Sequence, residues 1–327
     1  MFRCRRREIL HLTLANAALV AVSPLVQAQA WPSKPIRAII PIAAGSSIDI
    51  ISRIVFEPLS RQLGQPIIMD NRPGAGTTIG SAAVARADPD GYTFLVNSSA
   101  HAATPAIYPN ATYDTLRDFA AVASLGSSPN VTVISPAKGL NTLAELIAAA
   151  RAKPGAMSYG SVGVGSAVHI STELLRFSAG FEAVHVPFRG MPEALTEVMT
   201  GRVDFACSSI AAVLPFIRER KLLALAVSTP QRSSVLPEVP TTLELGYKNS
   251  DYTFWTGMFL PAKTPREIID KLHQETLKAL RGPGVPEKLA QQGVDPMPIT
   301  PSAFDAQIKR ETDAVLALTK AGNLKFN

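Results

Sequence analysis

Cysteine is nearly absent from this 327-residue chain, which has only Cys4 and Cys207. Such a pair builds neither a disulfide framework nor a cysteine metal site. Cys207 lies in the apolar run Val203-Asp204-Phe205-Ala206-Cys207, as a small core residue would. Histidine is scarce too, and no His-Glu-x-x-His occurs, so the helical zinc-protease arrangement is missing. No Gly-x-Ser-x-Gly elbow is present: Tyr159 stands two residues before Ser161, and Val164 two before Ser166. Long blocks of like charge are lacking, which argues against nucleic acid as a partner. Past the first thirty residues, no segment reaches the ~20 uncharged apolar residues that cross a bilayer.

Those first thirty residues have the make-up of a signal peptide. Arg3, Arg5, Arg6 and Arg7 precede an apolar stretch from Leu12 to Val26, and Ala28-Gln29-Ala30 offers a small-x-small cleavage site before Trp31. Arg6-Arg7-Glu8-Ile9-Leu10 fits a twin-arginine export pattern, which a merely basic leader also matches by chance. Cys4 precedes the apolar run, the wrong side for a lipoprotein anchor. Removing the leader takes away four arginines and one glutamate, lowering the formal charge from +6 to +3. The expected product is an exported, soluble chain with a mildly positive surface, compatible with a small anionic ligand.

Strand-like and helix-like segments alternate from the start. Ile36–Ile42, Pro66–Met69 and Tyr92–Val96 are short apolar runs, as strands of a sheet covered on both faces should be. Helical spacing fills Ser47–Leu63 and Ile79–Ala87. After a looser stretch come strand candidates at Val131–Ile134, Met157–Tyr159, Ala183–Val186, Phe205–Ser208 and Leu223–Val227. Helices are predicted to begin near Ser166, Met191 and Ile210. Thr142-Leu143-Ala144-Glu145 is a capping box, and Thr264-Pro265-Arg266-Glu267 and Thr300-Pro301 carry cap-and-proline signals. Ser228–Pro240 has linker composition. The pattern is a doubly wound α/β design, and its length exceeds one comfortable core, so two lobes are expected.

Ligands of open α/β sheets bind where strands end and helices begin. Three such turns have small, donor-rich sequences. The first holds Ala43, Ala44, Gly45, Ser46, Ser47 and Asp49; here Ser46 and Asp49 could equally form a plain capping box. The second is Tyr159-Gly160-Ser161-Val162-Gly163-Val164-Gly165-Ser166. Its glycine spacing is neither the dinucleotide fingerprint nor a P-loop, and it offers N–H and hydroxyl donors suited to a carboxylate. A tight turn that needs glycine is the competing reading. The third, Cys207-Ser208-Ser209, and the strand end Asn97-Ser98-Ser99 add polar side chains, Asn97, Ser98 and Ser208 among them. His169, on the first turns of the helix after the glycine loop, is the one suggestively placed histidine. No cofactor or metal is expected.

With their neighbours, these turns resemble the Bug family, the periplasmic substrate-binding proteins of tripartite tricarboxylate transporters. The resemblance runs through Asp70-Asn71-Arg72-Pro73-Gly74-Ala75-Gly76, Ile79-Gly80 and Asp88-Pro89-Asp90-Gly91-Tyr92-Thr93. It continues in Gly163-Val164-Gly165-Ser166 to His169, and in His185-Val186-Pro187-Phe188-Arg189-Gly190. Trp255-Thr256-Gly257-Met258-Phe259, Pro261 and Thr264-Pro265 complete it. It implies a two-lobed periplasmic-binding-protein fold of type II-like, Venus-flytrap form, each lobe a doubly wound mixed sheet. Residues 31–129 and 254–327 would form lobe 1, and 130–253 an inserted lobe 2. The resemblance further implies a carboxylate held by loop backbone, hydroxyls and bridging waters, not by an arginine clamp. Carried over, this points to Ala43–Ser47 with Asp49, and to Ser161, Gly163, Gly165 and Ser166. The family usually has glycine at the place of Ser46, and Phe or Tyr at that of Ile42.

The expectation is therefore a non-catalytic, monomeric periplasmic receptor that captures a di- or tricarboxylate, an acidic amino acid or an aromatic acid. It would deliver this ligand to membrane transporter subunits, or alternatively report it to the outer domain of a sensor kinase. An exported hydrolase using a serine with His169 or His101 is the reading from another class. Arg189 is expected to pair with an acidic neighbour rather than with ligand.

Overall fold

The computed structural model describes residues 31–320, so the expected leader, its arginine pair and its cleavage motif lie outside the described residues. The chain begins with β1 (Ile36–Ile40), α1 (Ser47–Leu63), β2 (Ile67–Asn71), α2 (Thr78–Ala85), β3 (Thr93–Ser98) and α3 (Ala100–Ile107). Strand β4 (Phe119–Ile134) runs for 16 residues. Next come α4 (Leu143–Ala152), β5 (Ser158–Ser161), α5 (Ala167–Ala179), β6 (Val184–Pro187), α6 (Met191–Met199), β7 (Phe205–Ser209), α7 (Ile210–Arg218) and β8 (Leu223–Val227). The last elements are β9 (Thr253–Pro261), α8 (Arg266–Leu280), α9 (Val285–Gln291) and α10 (Pro301–Lys320).

Strand β1 pairs in parallel with β2 and β3, β3 pairs antiparallel with β9, and β9 with β4 from Phe119 to Pro129. From Asn130 onward β4 leaves β9 and pairs with β7, with β8 on its other edge; β7 then leads in parallel to β5 and β5 to β6. One strand thus belongs to two mixed sheets. It changes partner at Pro129-Asn130, and the proline, which has no N–H to donate, suits that transition.

Both sheets are covered on both faces. Period-two alternation sends Phe94 and Val96 toward Ile48, Ile51, Val55 and Leu59 of α1, and Leu95 toward Trp255, Phe259 and Phe304 on the opposite side. In the second sheet Val131 and Val133 meet Leu195, Val198 and Val213, while Ile134, Tyr159 and Phe205 meet Leu146 and Leu175. Among the described residues no helix is long and apolar enough to cross a membrane, and no His, Cys, Asp and Glu grouping could hold a metal ion.

Most strands and helices lie within a residue or two of their sequence positions, and the Thr142 capping box forms both of its bonds. Thr300 also caps, accepting from the Ala303 N–H at 3.3 Å. The Thr264 box does not form. Its hydroxyl donates to the Pro261 carbonyl at 2.7 Å, closing a turn at the end of β9, and α8 starts only at Arg266. The first half of β4, helix α3 and strand β9 have no sequence counterpart. The first half of β4 is Ala-, Ser- and Gly-rich with little β-branched content, so pairing with β9 rather than propensity makes it a strand.

Candidate functional site

The carboxyl ends of β1, β3, β5 and β7 converge on one small hollow of about 20 Å³. Its polar wall consists of Ser46, Ser47, Thr77, Ser98, Ser166 and Ser208, and its apolar wall includes Ile42, Val162, Met191 and Phe254. Among the described residues no charged side chain lines it. Helices α1 and α5 both begin there, with Ser47 and Ile48 from one and Ala167 and Val168 from the other in its wall. The first N–H groups of a helix have no intrahelical acceptor, and the dipole makes that end positive. Neutral hydroxyls, two helix N-termini and an apolar floor are a lining chemically able to hold a small anion with a hydrocarbon body.

The sequence-derived residues separate into wall and support. Ser46, Ser47, Ser98, Ser166 and Ser208 are in the wall. Asp49 stands behind it, fully engaged: it accepts from Gly45 N at 3.0 Å, from Arg53 at 2.9 and 3.1 Å, and from Asn71 Nδ2 at 3.2 Å. Burial opposes its charge, but the hydrogen bonds from Arg53, Gly45 and Asn71 outweigh that and hold the carboxyl below its ordinary range. This corrects the expected capping box. Ser46 makes no cap; its hydroxyl instead accepts from Met191 N of α6 at 3.4 Å. Gly45 spends its N–H on Asp49, and Ala44 and Gly45 are exposed, outside the hollow.

Asn97, Ser161 and His169 are likewise displaced from the wall. Asn97 is wholly buried and holds Thr77 and Ser81. The Ser161 hydroxyl lies under the glycine loop, accepting from Gly163 N at 3.0 Å and meeting His185 Nε2 at 2.6 Å. His169 Nδ1 accepts from Gly165 N at 3.1 Å, pinning the loop from behind. Thr77, Met191 and Phe254 were not found from the sequence. Thr77 had a signal in the strained glycine-rich turn that precedes it, whereas Met191 and Phe254 are apolar residues like any in the core.

Glycines at the seam let distant segments meet. A Cβ on Gly76 would lie 2.1 Å from the Val164 carbonyl oxygen, and one on Gly190 would lie 2.5 Å from Ala43 Cβ. Above the first contact Tyr108 donates its hydroxyl to the Val164 carbonyl at 2.6 Å. These contacts join residues around β1–α3 to residues around β5–α6, and so draw the hollow shut. Tyr108→Phe removes about 1 kcal/mol of net hydrogen bonding; hydrogen exchange of the Gly163–Ser166 amides is expected to quicken roughly fivefold. Unchanged exchange there would show that the tyrosine does not hold the loop.

Two histidines stack behind the glycine loop, with ring centroids 4.3 Å apart. Burial, then the charges of His185 and Arg176, pulls His169 down to about 3, while burial and Arg176 pull His185 to about 4. His101, between Phe119 and Phe259, is lowered to about 3 by burial alone. Each is neutral in the native state and takes up a proton near 6.5 once unfolded, so stability is lost as pH falls below 6.5 toward these native values. At pH 5 the loss from His101 and His169 is about 2 kcal/mol each. Thermal melts between pH 7.5 and 5 should show this decline, reduced in a His101→Phe variant.

The hydrolase arrangement is not assembled. His101 and His169 are buried outside the hollow, and Ser161, although touching His185, is fully buried, and among the described residues no carboxylate orients that imidazole. Arg189 is exposed, and among the described residues its guanidinium makes no ion pair; only its backbone N–H meets Glu193. Cys207 is a core residue whose thiol donates to Ser171 Oγ at 3.3 Å, and burial pushes it up to about 11.

Residues 51–321 match the model of the tripartite tricarboxylate transporter family receptor. The chain is 34% identical to Protein BugT of Bordetella pertussis over 299 residues, 91% of each chain. Its fold is similar to that of periplasmic binding protein BugD, with a TM-score of 0.86, 28% identity and coverage of 89% and 99% of the two chains. It is also similar to MatC from Rhodopseudomonas palustris with bound malate, at TM-score 0.84 and 29% identity, covering 88% of this chain and 99% of that one. R. palustris Rpa4515 with adipate gives TM-score 0.85 and 28% identity, over 89% and 97%. The chain, a two-lobed α/β binding protein, belongs to the tripartite tricarboxylate transporter receptor family of periplasmic solute-binding proteins.

Proposed function

We propose that this chain captures a small organic carboxylate in the periplasm, as a monomer, and presents it to the membrane subunits of a tripartite tricarboxylate-type transporter. The observation that carries the reading is the hollow itself, walled by six hydroxyl side chains and two helix N-termini with no charged residue. Such donors compensate a carboxylate when the cleft shuts and return to water when it opens, which suits reversible capture. Malate in one similar structure and adipate in another favour a dicarboxylate with a short hydrocarbon body. Lobe 1 would comprise 31–129 and 254–327 and lobe 2 residues 130–253, hinged where β4 changes partner. Ser46, Ser47, Ser98, Ser166 and Ser208 would face the ligand, with Asp49 and His169 bracing their loops.

A melting-shift panel of C4–C6 dicarboxylates, citrate, acidic amino acids and aromatic acids tests the reading. At least one acid should raise the melting temperature saturably, by several degrees at 100 times its Kd. Folded, ligand-free protein that responds to none would refute it. Exported protein should also begin at Trp31 by intact mass, and retention of residues 1–30 would refute the cleaved leader.

A further inference from the structure

The hydrogen bonds behind the wall set the polarity of one hydroxyl in it. Asn97 Oδ1 accepts from Ser98 N at 2.8 Å, so the amide nitrogen must face the other way. There Nδ2 donates to Thr77 Oγ1 and to Ser81 Oγ, each at 3.2 Å. Ser81 in turn donates its own hydroxyl to the Thr77 carbonyl at 3.0 Å. Thr77 Oγ1 is therefore an acceptor on its buried side. Its proton has no acceptor among the described residues, although the residue is only 3% exposed and lines the hollow.

The backbone at this position is unusual in the same direction. Thr77 has φ +85°, and it ends a run in which Gly74, Ala75 and Gly76 also have positive φ. A β-branched residue in the left-handed region is strained, whereas glycine would occupy it freely. The strain at this position therefore accompanies a side chain set in the wall of the hollow.

We infer that Thr77 is a specificity-determining hydroxyl donor of the cleft, its proton directed at a ligand carboxylate oxygen by Asn97, which acts as a positioning residue. The inference rests on the proposed carboxylate-binding function. It assigns this wall a fixed preference for an acceptor group, since a ligand amine or ammonium there would face a proton rather than a lone pair.

Calorimetric titration of the chain from Trp31 onward with malate and adipate tests it. Should neither register, the acid with the largest shift in the panel replaces them. Thr77→Val keeps the shape and loses the proton, and affinity is expected to fall at least ~10-fold, the effect of a hydrogen bond to a charged group. Thr77→Ser should stay within about threefold. Asn97→Leu, similar in size and neutral, removes the amide donor that fixes the Thr77 hydroxyl and should cost roughly 5-fold although Thr77 is intact. Joined to Thr77→Val it should cost nothing further, a coupling that a merely structural role for Asn97 would not produce. Thr77→Val binding like the parent, or losses that simply add, overturns the inference and leaves the carboxylate reading standing. A parent chain that binds no acid of the panel overturns both.

Discussion

Gly76→Ala is expected to leave a folded protein that binds its carboxylate at least ~100-fold more weakly, equivalent to about 2.7 kcal/mol. Alanine at φ +58° costs roughly 1–2 kcal/mol in either state. The larger penalty arises only on closing, because the new Cβ would sit 2.1 Å from the Val164 carbonyl oxygen. Tyr108, the other neighbour, can swing aside; the Val164 backbone carbonyl, fixed in the loop between β5 and α5, cannot. Closure then needs the lobes to stay about 1 Å apart at the seam, and the contacts that would repay ligand desolvation are not completed. Gly64→Ala supplies the control. Gly64 has φ +69° but nothing within 4 Å of the added carbon, so it carries the same local strain and should bind normally. The two variants are compared by titration and by the ligand-dependent change in radius of gyration. Equal affinities would mean that the Gly76–Val164 approach plays no part in capture.

Ser47→Asp is expected to abolish anion binding while leaving the ligand-free melting temperature within a few degrees of the parent. Ser47 is the first residue of α1 and lies in the wall of the hollow. A carboxylate there suits the positive helix end, worth about 0.3–1 kcal/mol to the fold. Toward a bound carboxylate ~4 Å away it is repulsive by about 4 kcal/mol at an effective dielectric of 20, on the order of a thousandfold in affinity. Ser47→Asn changes the side chain without the charge and should lose no more than ~10-fold. Should Ser47→Asp bind a dicarboxylate as tightly as the parent, the anion does not sit at the start of α1.

Much of this candidate site was legible in the sequence, and for a local reason. A strand followed by Gly45-Ser46-Ser47 or by Gly163-Val164-Gly165-Ser166 can be recognised from short-range chemistry alone: glycine for the turn, small residues for close approach, hydroxyls at a helix start. The wall and its support could not be told apart that way. Asn97 and Ser98 are adjacent, yet the pleat sends one behind the wall and the other into it. Ser161 and Ser166 flank one loop, yet one hydroxyl turns under it toward His185 and the other lines the hollow. Thr77 is not legible in that way, because the role inferred for it lies in a proton's direction, set by a side chain 20 residues away.

Most of the order of α and β elements, the Thr142 and Thr300 caps and the donor-rich turns were written in the sequence, because each depends on residues within a few positions of one another. So were the motifs that resemble the receptor family, since they are matched residue by residue. Tertiary structure alone decided that β4 would serve two sheets, that Gly76 and Val164 would touch across the seam, and which hydroxyls would share one uncharged hollow. Those outcomes rest on strand register and on contacts between residues many tens of positions apart, where the chemistry of one partner says nothing until the fold brings the other beside it.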